Sequence, residues 1–194
     1  MKKVVIGGLV VLLAVLIGCS GSSEGGETAQ VVANDGSTGV AQTADSVNKD
    51  TGWRDFEIKD INSGDTFKIS DFAGQKIVLE SFAVWCPTCT KQQREIRKLA
   101  ENGDTSVHIA LDTDPNEDEQ AVRDHTKQNG FDWRYAVAPA EMTKLLIDEF
   151  GVGFVNAPSA PVAIICEDQS GHFLPRGVKK ADRLAEELVS RCSG

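Results

Sequence analysis

The sequence has little of what several protein classes require. Its 20 basic residues are outnumbered by 29 acidic ones, which gives a formal net charge of −9. An acidic surface repels phosphate backbones, so we do not expect nucleic-acid binding. No GxGxxG or P-loop motif occurs, so no nucleotide cofactor is implied. The 3 histidines lack metal-ligand spacing, and the 5 cysteines are too few for a disulfide scaffold and too unevenly spaced for a zinc cluster.

Long apolar runs are also missing. The longest, residues 4–17, falls short of the roughly 20 residues that a membrane-spanning helix needs. It follows two lysines and ends at Leu16-Ile17-Gly18-Cys19, so residues 1–18 are typical of a secretory signal peptide. This ending resembles the lipobox of prokaryotic lipoproteins, which implies that Cys19 is lipidated and anchors the chain outside the cell membrane. The alternatives are a plain signal peptide and an uncleaved anchor.

The segment after Cys19 is poor in apolar and aromatic residues. Residues 20–52 consist mainly of Gly, Ser, Thr, Ala and acidic residues, with Lys49 as the one basic residue. Such a segment cannot bury enough apolar surface to offset the cost of ordering. Residues 19–52 are therefore predicted to be a lipidated cysteine and a disordered tether, with a reach on the order of 30 Å. The folded domain is expected at residues 53–194.

Within that domain, hydrophobic periodicity predicts an alternation of strands and helices. Residues 53–58 and 66–69 alternate apolar with polar side chains around a turn, which predicts an N-terminal β-hairpin. Strands alternating with helices indicate an α/β fold. Further strands are predicted at 77–82, 107–111, 133–138, 161–166 and 172–174, and helices at 90–100, 117–128, 141–150 and 181–191.

The chemistry is expected at two cysteines that follow the predicted strand 77–82. Cys86 and Cys89 are separated by two residues at the start of a helix. The free N–H groups and partial positive charge of a helix N-terminus favour a thiolate at Cys86. One helical turn brings Cys89 within bridging distance while keeping it more buried, and Pro87 suits a first turn because it has no N–H to lose. The pair can therefore cycle between dithiol and disulfide by exchange with another protein's sulfurs.

The run Trp85-Cys86-Pro87-Thr88-Cys89, set between a buried strand and a helix, resembles the active site of the thioredoxin superfamily. The domain from residue 53 onwards is similar to the membrane-tethered, extracytoplasmic TlpA-like branch, including its N-terminal hairpin and an inserted segment near residues 115–138. The resemblance implies a thioredoxin-like mixed sheet flanked by helices, and a thiol–disulfide oxidoreductase that acts on protein substrates. It implies no cofactor beyond the cysteines, so electrons would come from a membrane-embedded protein donor. We expect a monomeric reductase.

The resemblance also assigns roles to two positions outside the cysteine motif. Glu80, six residues before Cys86, falls where thioredoxins place a buried acid that takes the proton of Cys89. The alternative is a strand-end glutamate that faces solvent. Pro161, directly before an apolar strand, is expected to be the cis-proline that shapes the substrate groove, with Pro158 as the alternative.

Smaller roles are implied for four more residues. Trp85 is expected to pack beside the disulfide and shield it, unless it is an ordinary core aromatic. Pro87 and Thr88 influence the reduction potential, although the sequence gives no value for it. His108 falls where some thioredoxins place a lysine near the buried acid, but a lone histidine on a strand is more often a satisfied core residue.

The remaining two cysteines lie far from the motif. Cys166 stands at the end of a predicted strand and Cys192 near the end of the last predicted helix, so they could be neighbours. In an oxidising compartment they could form a structural disulfide. We favour two free thiols.

Two other functions fit the sequence less well. A peroxiredoxin would need a Pro-x-x-x-Thr-x-x-Cys pattern, which precedes neither Cys86 nor Cys89. A copper-handling module of this fold usually adds a distant histidine, for which only His108 and His172 come into question. The acidic run 112–119 lacks the glycine and the closing glutamate of an EF-hand, so it is interpreted as a solvated turn before a helix.

Overall fold

The computed structural model describes residues 52–193, and the predicted signal peptide, Cys19 and almost all of the predicted tether lie outside them. Within these residues no helix combines the length and the apolar character that crossing a membrane requires. The predicted α/β fold is confirmed, since helices flank a mixed five-stranded sheet. The elements are strands β1 Ile58–Lys59, β2 Thr66–Phe67, β3 Ile77–Phe82, β4 Val107–Asp112, β5 Arg134–Val137, β6 Val162–Ile165 and β7 Gly171–Phe173, and helices α1 Pro87–Glu101, α2 Glu119–Asn129, α3 Ala140–Phe150 and α4 Ala181–Arg191.

Strand β3 is the centre of the sheet, whose strand order is β5-β4-β3-β6-β7. All of its residues are buried, which matches an apolar run interrupted only by Glu80 and Ser81. Strands β4 and β5 continue the sheet in parallel on one side of β3, while on the other side β6 pairs antiparallel with β3 and β7 pairs antiparallel with β6. The sheet is therefore mixed, and its fully buried central strand leads to the cysteine motif.

The N-terminal hairpin is present but shorter than predicted. Strands β1 and β2 pair antiparallel over two residues each. The prediction of a strand over residues 53–58 is wrong in its first half, because Trp53–Asp55 forms a short 3-10 helix closed by a 3.0 Å hydrogen bond from the Asp55 N–H to the Gly52 carbonyl. Trp53 is buried edge-on against Phe150, with ring centroids 5.7 Å apart. This 3-10 turn therefore has the same alternation of apolar and polar residues as a half-buried strand.

Helix α2 and strand β5 occupy the predicted inserted segment, residues 115–138. The helix begins later than predicted because Asp118 is its N-cap and accepts a 2.9 Å hydrogen bond from the Ala121 N–H. It ends at Gly130, whose φ of 65° is a left-handed conformation that favours glycine. This segment therefore consists of a capped helix and an edge strand beside β4.

The two faces of the sheet pack against different helices. Ile77 and Leu79 of β3 belong to an apolar cluster with α3 and the hairpin. Val78 belongs to a second cluster with α1 and α4. Because side chains alternate along a strand, Glu80 lies on the same face as Val78, beneath α1. This alternation places a carboxyl group under the helix that carries the cysteines.

Cys166 and Cys192 are joined by a disulfide, so the expectation of two free thiols is wrong. Their Cα atoms are 5.2 Å apart, within the range that a disulfide requires. Cys166 directly follows β6, and Cys192 is the C-cap of α4. Leu184 and Leu188 pack α4 into the same cluster as β6, which brings the end of the helix over the end of the strand.

We expect the double variant Cys166→Ser, Cys192→Ser to lose about 3 kcal/mol of unfolding free energy, because the disulfide closes a loop that restricts the unfolded chain. Urea denaturation of the folded domain measures the loss. Mild reductant should lower the stability of the wild type by more than that of the double variant, in which Cys86 and Cys89 are the only cysteines of residues 52–193 left to reduce. Equal stability of the two oxidised proteins would contradict the prediction.

Candidate active site

Cys86 and Cys89 lie where the chain leaves β3 and enters α1. Cys86 is the N-cap of the helix, with an extended backbone, and Pro87 takes the first helical position. The Sγ atom of Cys86 accepts a hydrogen bond from the backbone N–H of Cys89 at 3.1 Å. This bond and the helix N-terminus stabilise negative charge on the Cys86 sulfur.

Both thiols are free, and both are buried under the loop that precedes β6. Cys86 is 1% exposed and Cys89 0%, so the predicted contrast in burial is small. Their Sγ atoms donate hydrogen bonds to the carbonyl oxygen of Ala157, at 3.4 Å and 3.1 Å respectively. Burial raises the pKa of Cys89, and the hydrogen bond to Cys86 and the charge of Glu80 raise it further. Cys89 therefore needs a base before it can act as a nucleophile.

The two candidate prolines occupy different places in this loop. Ala157, whose carbonyl contacts both thiols, directly precedes Pro158, which is exposed. Pro161 is buried at the start of β6, where its carbonyl accepts a 3.2 Å hydrogen bond from the Ser81 N–H. The assignment of Pro161 as the groove-shaping proline stays a prediction. The hydrogen bonds that both thiols make to Ala157, the residue before Pro158, favour Pro158 for that role.

Trp85 is not a core aromatic. Its side chain is 58% exposed, and its Nε1–H donates a 2.6 Å hydrogen bond to the Asp114 carboxylate. It lines a groove of about 250 Å³ together with Ala157 and Pro158, so the groove runs past the loop that covers the thiols. Thr88, in the first turn of α1, is half-buried. The exposed indole and this groove offer a substrate an approach to the motif.

Carboxyl groups in the turn between β4 and α2 accept hydrogen bonds from the segment just before Cys86. The backbone N–H of Val84 donates a 2.7 Å hydrogen bond to Glu117, while Asp112, fully buried, accepts a 3.0 Å bond from the Asp114 N–H. Burial raises the pKa of Asp112 to about 8, and the neighbouring Glu117 adds to the rise. Asp112 therefore binds its proton more tightly than an exposed carboxyl does. The predicted solvated turn is thus a partly buried acidic support for the motif.

Glu80 is fully buried, which excludes the alternative of a glutamate facing solvent. Both of its carboxyl oxygens lack a hydrogen-bond partner within the described residues. Burial raises its pKa well above the ordinary value, while the charge of Lys179 and a contact with Gln93 lower it. A buried carboxyl with so few partners is an effective proton acceptor for a neighbouring thiol.

Lys179 is a buried residue that the sequence did not single out. It lies just before α4, is 7% exposed, and belongs to the basic segment 176–180, which by pattern is typical of a solvated loop. It is buried through contacts with Gln92 of α1 and with the loop before β6. Nothing in the local sequence distinguishes Lys179 from Lys180, which is exposed.

His108 and His125 make no hydrogen bond to either thiol. His108 is buried on β4 with its Nε2 3.5 Å from the Asp104 carboxylate, and burial lowers its pKa. The charge near Glu80 comes from Lys179 and not from His108, so the lysine-like role for His108 finds no support. His125 of α2 hydrogen-bonds Gln93 at 2.7 Å. No cluster of three metal-binding side chains occurs in residues 52–193.

The Redoxin family model matches residues 48–169, which is more than half of the chain. The chain belongs to the Redoxin family. Membership, together with the thiol pair at the strand-to-helix junction, makes it a thiol–disulfide oxidoreductase with a thioredoxin-like fold. No curated protein matches the sequence.

Several solved structures share the fold of this Redoxin-family chain. A secreted Mycobacterium tuberculosis disulfide oxidoreductase is 15% identical with a TM-score of 0.57, covering 71% of this chain and 97% of its own. The pneumococcal exposed lipoprotein thioredoxin Etrx1 of Streptococcus pneumoniae is 22% identical with a TM-score of 0.55, covering 70% and 98%. StoA of Bacillus subtilis is 20% identical with a TM-score of 0.53, covering 68% and 93%. At these identities the likeness establishes the fold.

We expect Asp112→Asn to flatten the pH dependence of stability. The folded pKa of about 8 lies above the ordinary value of 3.8, so the stability that Asp112 contributes is present at low pH and is lost as the pH rises towards 8. Each proton bound more by the folded state makes the unfolding free energy fall by about 1.4 kcal/mol per pH unit. Denaturation midpoints of the variant should therefore fall less between about pH 5 and about pH 7.

Asp148→Asn, at an exposed position on α3, is the matched control and should keep the slope of the wild type. Glu80 has a raised pKa too, so a residual slope of the same sign remains in the Asp112 variant. A variant as pH-dependent as the wild type would show that Asp112 is ionised in the folded protein.

Proposed function

We propose that this Redoxin-family chain is a TlpA-like thiol–disulfide reductase that exchanges its Cys86–Cys89 dithiol with the disulfides of protein substrates. The observation that carries the proposal is a pair of free thiols at the N-terminus of α1 with a fully buried carboxyl on the strand beneath that helix. Packing does not explain Glu80, because an apolar residue would fill its space at lower cost.

In the first step, the Cys86 thiolate attacks one sulfur of the substrate disulfide. The substrate S–S bond breaks, a mixed disulfide to Cys86 forms, and the other substrate sulfur leaves as a thiolate. The hydrogen bond from the Cys89 N–H stabilises the attacking thiolate. The groove beside Trp85 and Pro158 is where the substrate backbone would lie.

In the second step, Cys89 resolves the mixed disulfide. Its raised pKa keeps it protonated until Glu80 accepts the proton. The Cys89 thiolate then attacks the Cys86 sulfur, the bond to the substrate breaks, and the second substrate thiolate leaves and takes up a proton. Two electrons pass to the substrate, and the Cys86–Cys89 disulfide remains for a membrane-embedded protein donor to reduce.

We further propose that the chain works outside the cell membrane as a monomer, anchored through lipidated Cys19. The lipobox-like ending of the signal peptide supports the anchor. The names of two proteins of the same fold, a secreted oxidoreductase and an exposed lipoprotein, support the location.

The variant Cys19→Ser tests the anchor. We expect the wild type to incorporate labelled palmitate and to fractionate with membranes, because the thioether at Cys19 is the attachment point. The serine variant should remain unlabelled. Equal labelling of the two proteins would contradict a lipid at Cys19.

The variant Cys89→Ser tests the exchange. We expect it to accumulate a mixed disulfide between Cys86 and a substrate protein, because the first step proceeds and the resolving thiol is gone. Cys86→Ser should form no such adduct, and both variants should lose turnover in a disulfide-reduction assay. Trapped adducts are seen on non-reducing gels and disappear when reductant is added.

The equilibrium reduction potential of the soluble domain decides the direction. A reduction potential of about −270 mV supports the reductase, whereas one of about −120 mV indicates an oxidant that makes disulfides. A protein that shows no reversible couple and instead holds copper(I) stoichiometrically would overturn the proposed enzyme in favour of a binding module.

A further inference from the structure

Lys179 is a buried lysine that the two-step exchange does not use. Its side chain is 7% exposed, and its Nζ donates hydrogen bonds to the carbonyl oxygens of Ala160 and Pro175, the second at 3.4 Å. Lysine is almost never buried without a partner, because removing its charge from water is costly. Among residues 52–193 no carboxylate lies within ion-pair distance of its Nζ. The position therefore calls for an explanation other than an ordinary salt bridge.

The main chain of Lys179 is fixed to the helix that carries the cysteines. Its N–H donates a 2.7 Å hydrogen bond to the side-chain oxygen of Gln92, and the Gln92 amide nitrogen donates a 3.1 Å bond back to its carbonyl. Gln92 is fully buried and lies three residues after Cys89 on α1. The lysine backbone is therefore held in register with the thiol site.

The ammonium group lies where β6 begins beside Glu80. Ala160, whose carbonyl it contacts, is followed by Pro161, and Val162 then pairs with Glu80 across the sheet. Ala160 adopts a left-handed conformation with φ of 48°, which is uncommon for a residue with a side chain. The Lys179 contact thus stabilises a strained end of the loop that covers both thiols.

We propose that Lys179 is a positioning residue for the resolving step: its ammonium group favours the carboxylate form of Glu80 against the opposite effect of burial, and it fixes the loop over Cys89 through Ala160. This inference rests on the proposed exchange reaction. In the second step the proton still moves from Cys89 to Glu80, and Lys179 keeps its own.

The groups that face Glu80 from the other elements do not replace this charge. Cys89 of α1 and Tyr135 of β5 are both neutral acids whose pKa is raised by burial, with Glu80 contributing. Gln93 contributes a neutral amide that is hydrogen-bonded to His125 of α2, a histidine kept neutral because burial lowers its pKa. Among residues 52–193, Lys179 is the one cation that lowers the pKa of Glu80, and its own pKa falls to about 8 through burial.

The test is Lys179→Met, which keeps the apolar stem and removes the charge. Rapid mixing of the reduced protein with a peptide disulfide, quenched at intervals, measures formation and decay of the Cys86 mixed disulfide from about pH 6 to about pH 9. We expect the mixed disulfide to decay about tenfold more slowly at neutral pH. The acid limb of the decay rate, where the rate falls as the pH is lowered, should move up by about one pH unit, since one pKa unit is tenfold in protonation. Formation of the mixed disulfide should change little.

Lys180→Met is the matched control, because it removes the same charge from the next, exposed residue and should keep the profile of the wild type. In a Glu80→Gln background, Lys179→Met should add no further slowing and no shift. An equal slowing in that background would mean that Lys179 acts on packing alone, which overturns the inference. Lys179→Arg, which keeps the charge, should restore the acid limb.

A direct measurement of Glu80 covers the case in which Lys179→Met does not fold. Infrared difference spectra against the matching Glu80→Gln protein give the pH at which Glu80 ionises in the wild type and in Lys179→Gln, which keeps a polar side chain. A higher ionisation pH in Lys179→Gln supports the inference, and an equal one contradicts it. If the wild type forms no reversible disulfide, the proposed exchange itself fails. If it turns over and Lys179→Met behaves as Lys180→Met does, only the role of Lys179 fails.

Discussion

The burial of β3 on both faces is the constraint on which the rest of the site depends. A strand that is covered by helices on both sides and by neighbours on both edges has no freedom to shift register. Its end therefore delivers Cys86 to one place, the N-cap of α1. The same rigidity fixes which face Glu80 occupies, because alternation with Leu79 turns its carboxyl under the helix. The six residues of β3 therefore fix the packing of the sheet and the positions of both Cys86 and Glu80.

That constraint also explains how much could be predicted from the sequence. The strand, the helix and the spacing of Cys86 and Cys89 are local patterns, so their placement follows from periodicity and helix-start chemistry. The burial of Glu80 also follows, once the strand is recognised as central. Trp53 marks the limit of such patterns, because a 3-10 turn that buries one aromatic ring has the same alternation as a strand.

The remaining features depend on contacts between distant parts of the chain. Lys179 and Gln92 are 87 residues apart, and the two residues of the disulfide are separated by 26. No local pattern records that α4 lies against α1 and β6, yet this packing decides that Lys179 is buried while Lys180 is exposed. The acidic turn after β4 is similar, since Glu117 accepts a hydrogen bond from the Val84 N–H, 33 residues earlier in the chain.

The late position of β6 in the chain has a consequence for biogenesis. The loop at Ala157 and the segment at Lys179 follow the cysteine motif by more than 60 residues, as the separations of 68 and 87 in their contacts with α1 show. A chain that is made from its N-terminus presents its dithiol before the residues that cover it have been added. Until the last strands arrive, that dithiol behaves as an unshielded thiol pair in an unfolded chain. Controlled reactivity is thus a property acquired at the end of synthesis, when the C-terminal elements dock.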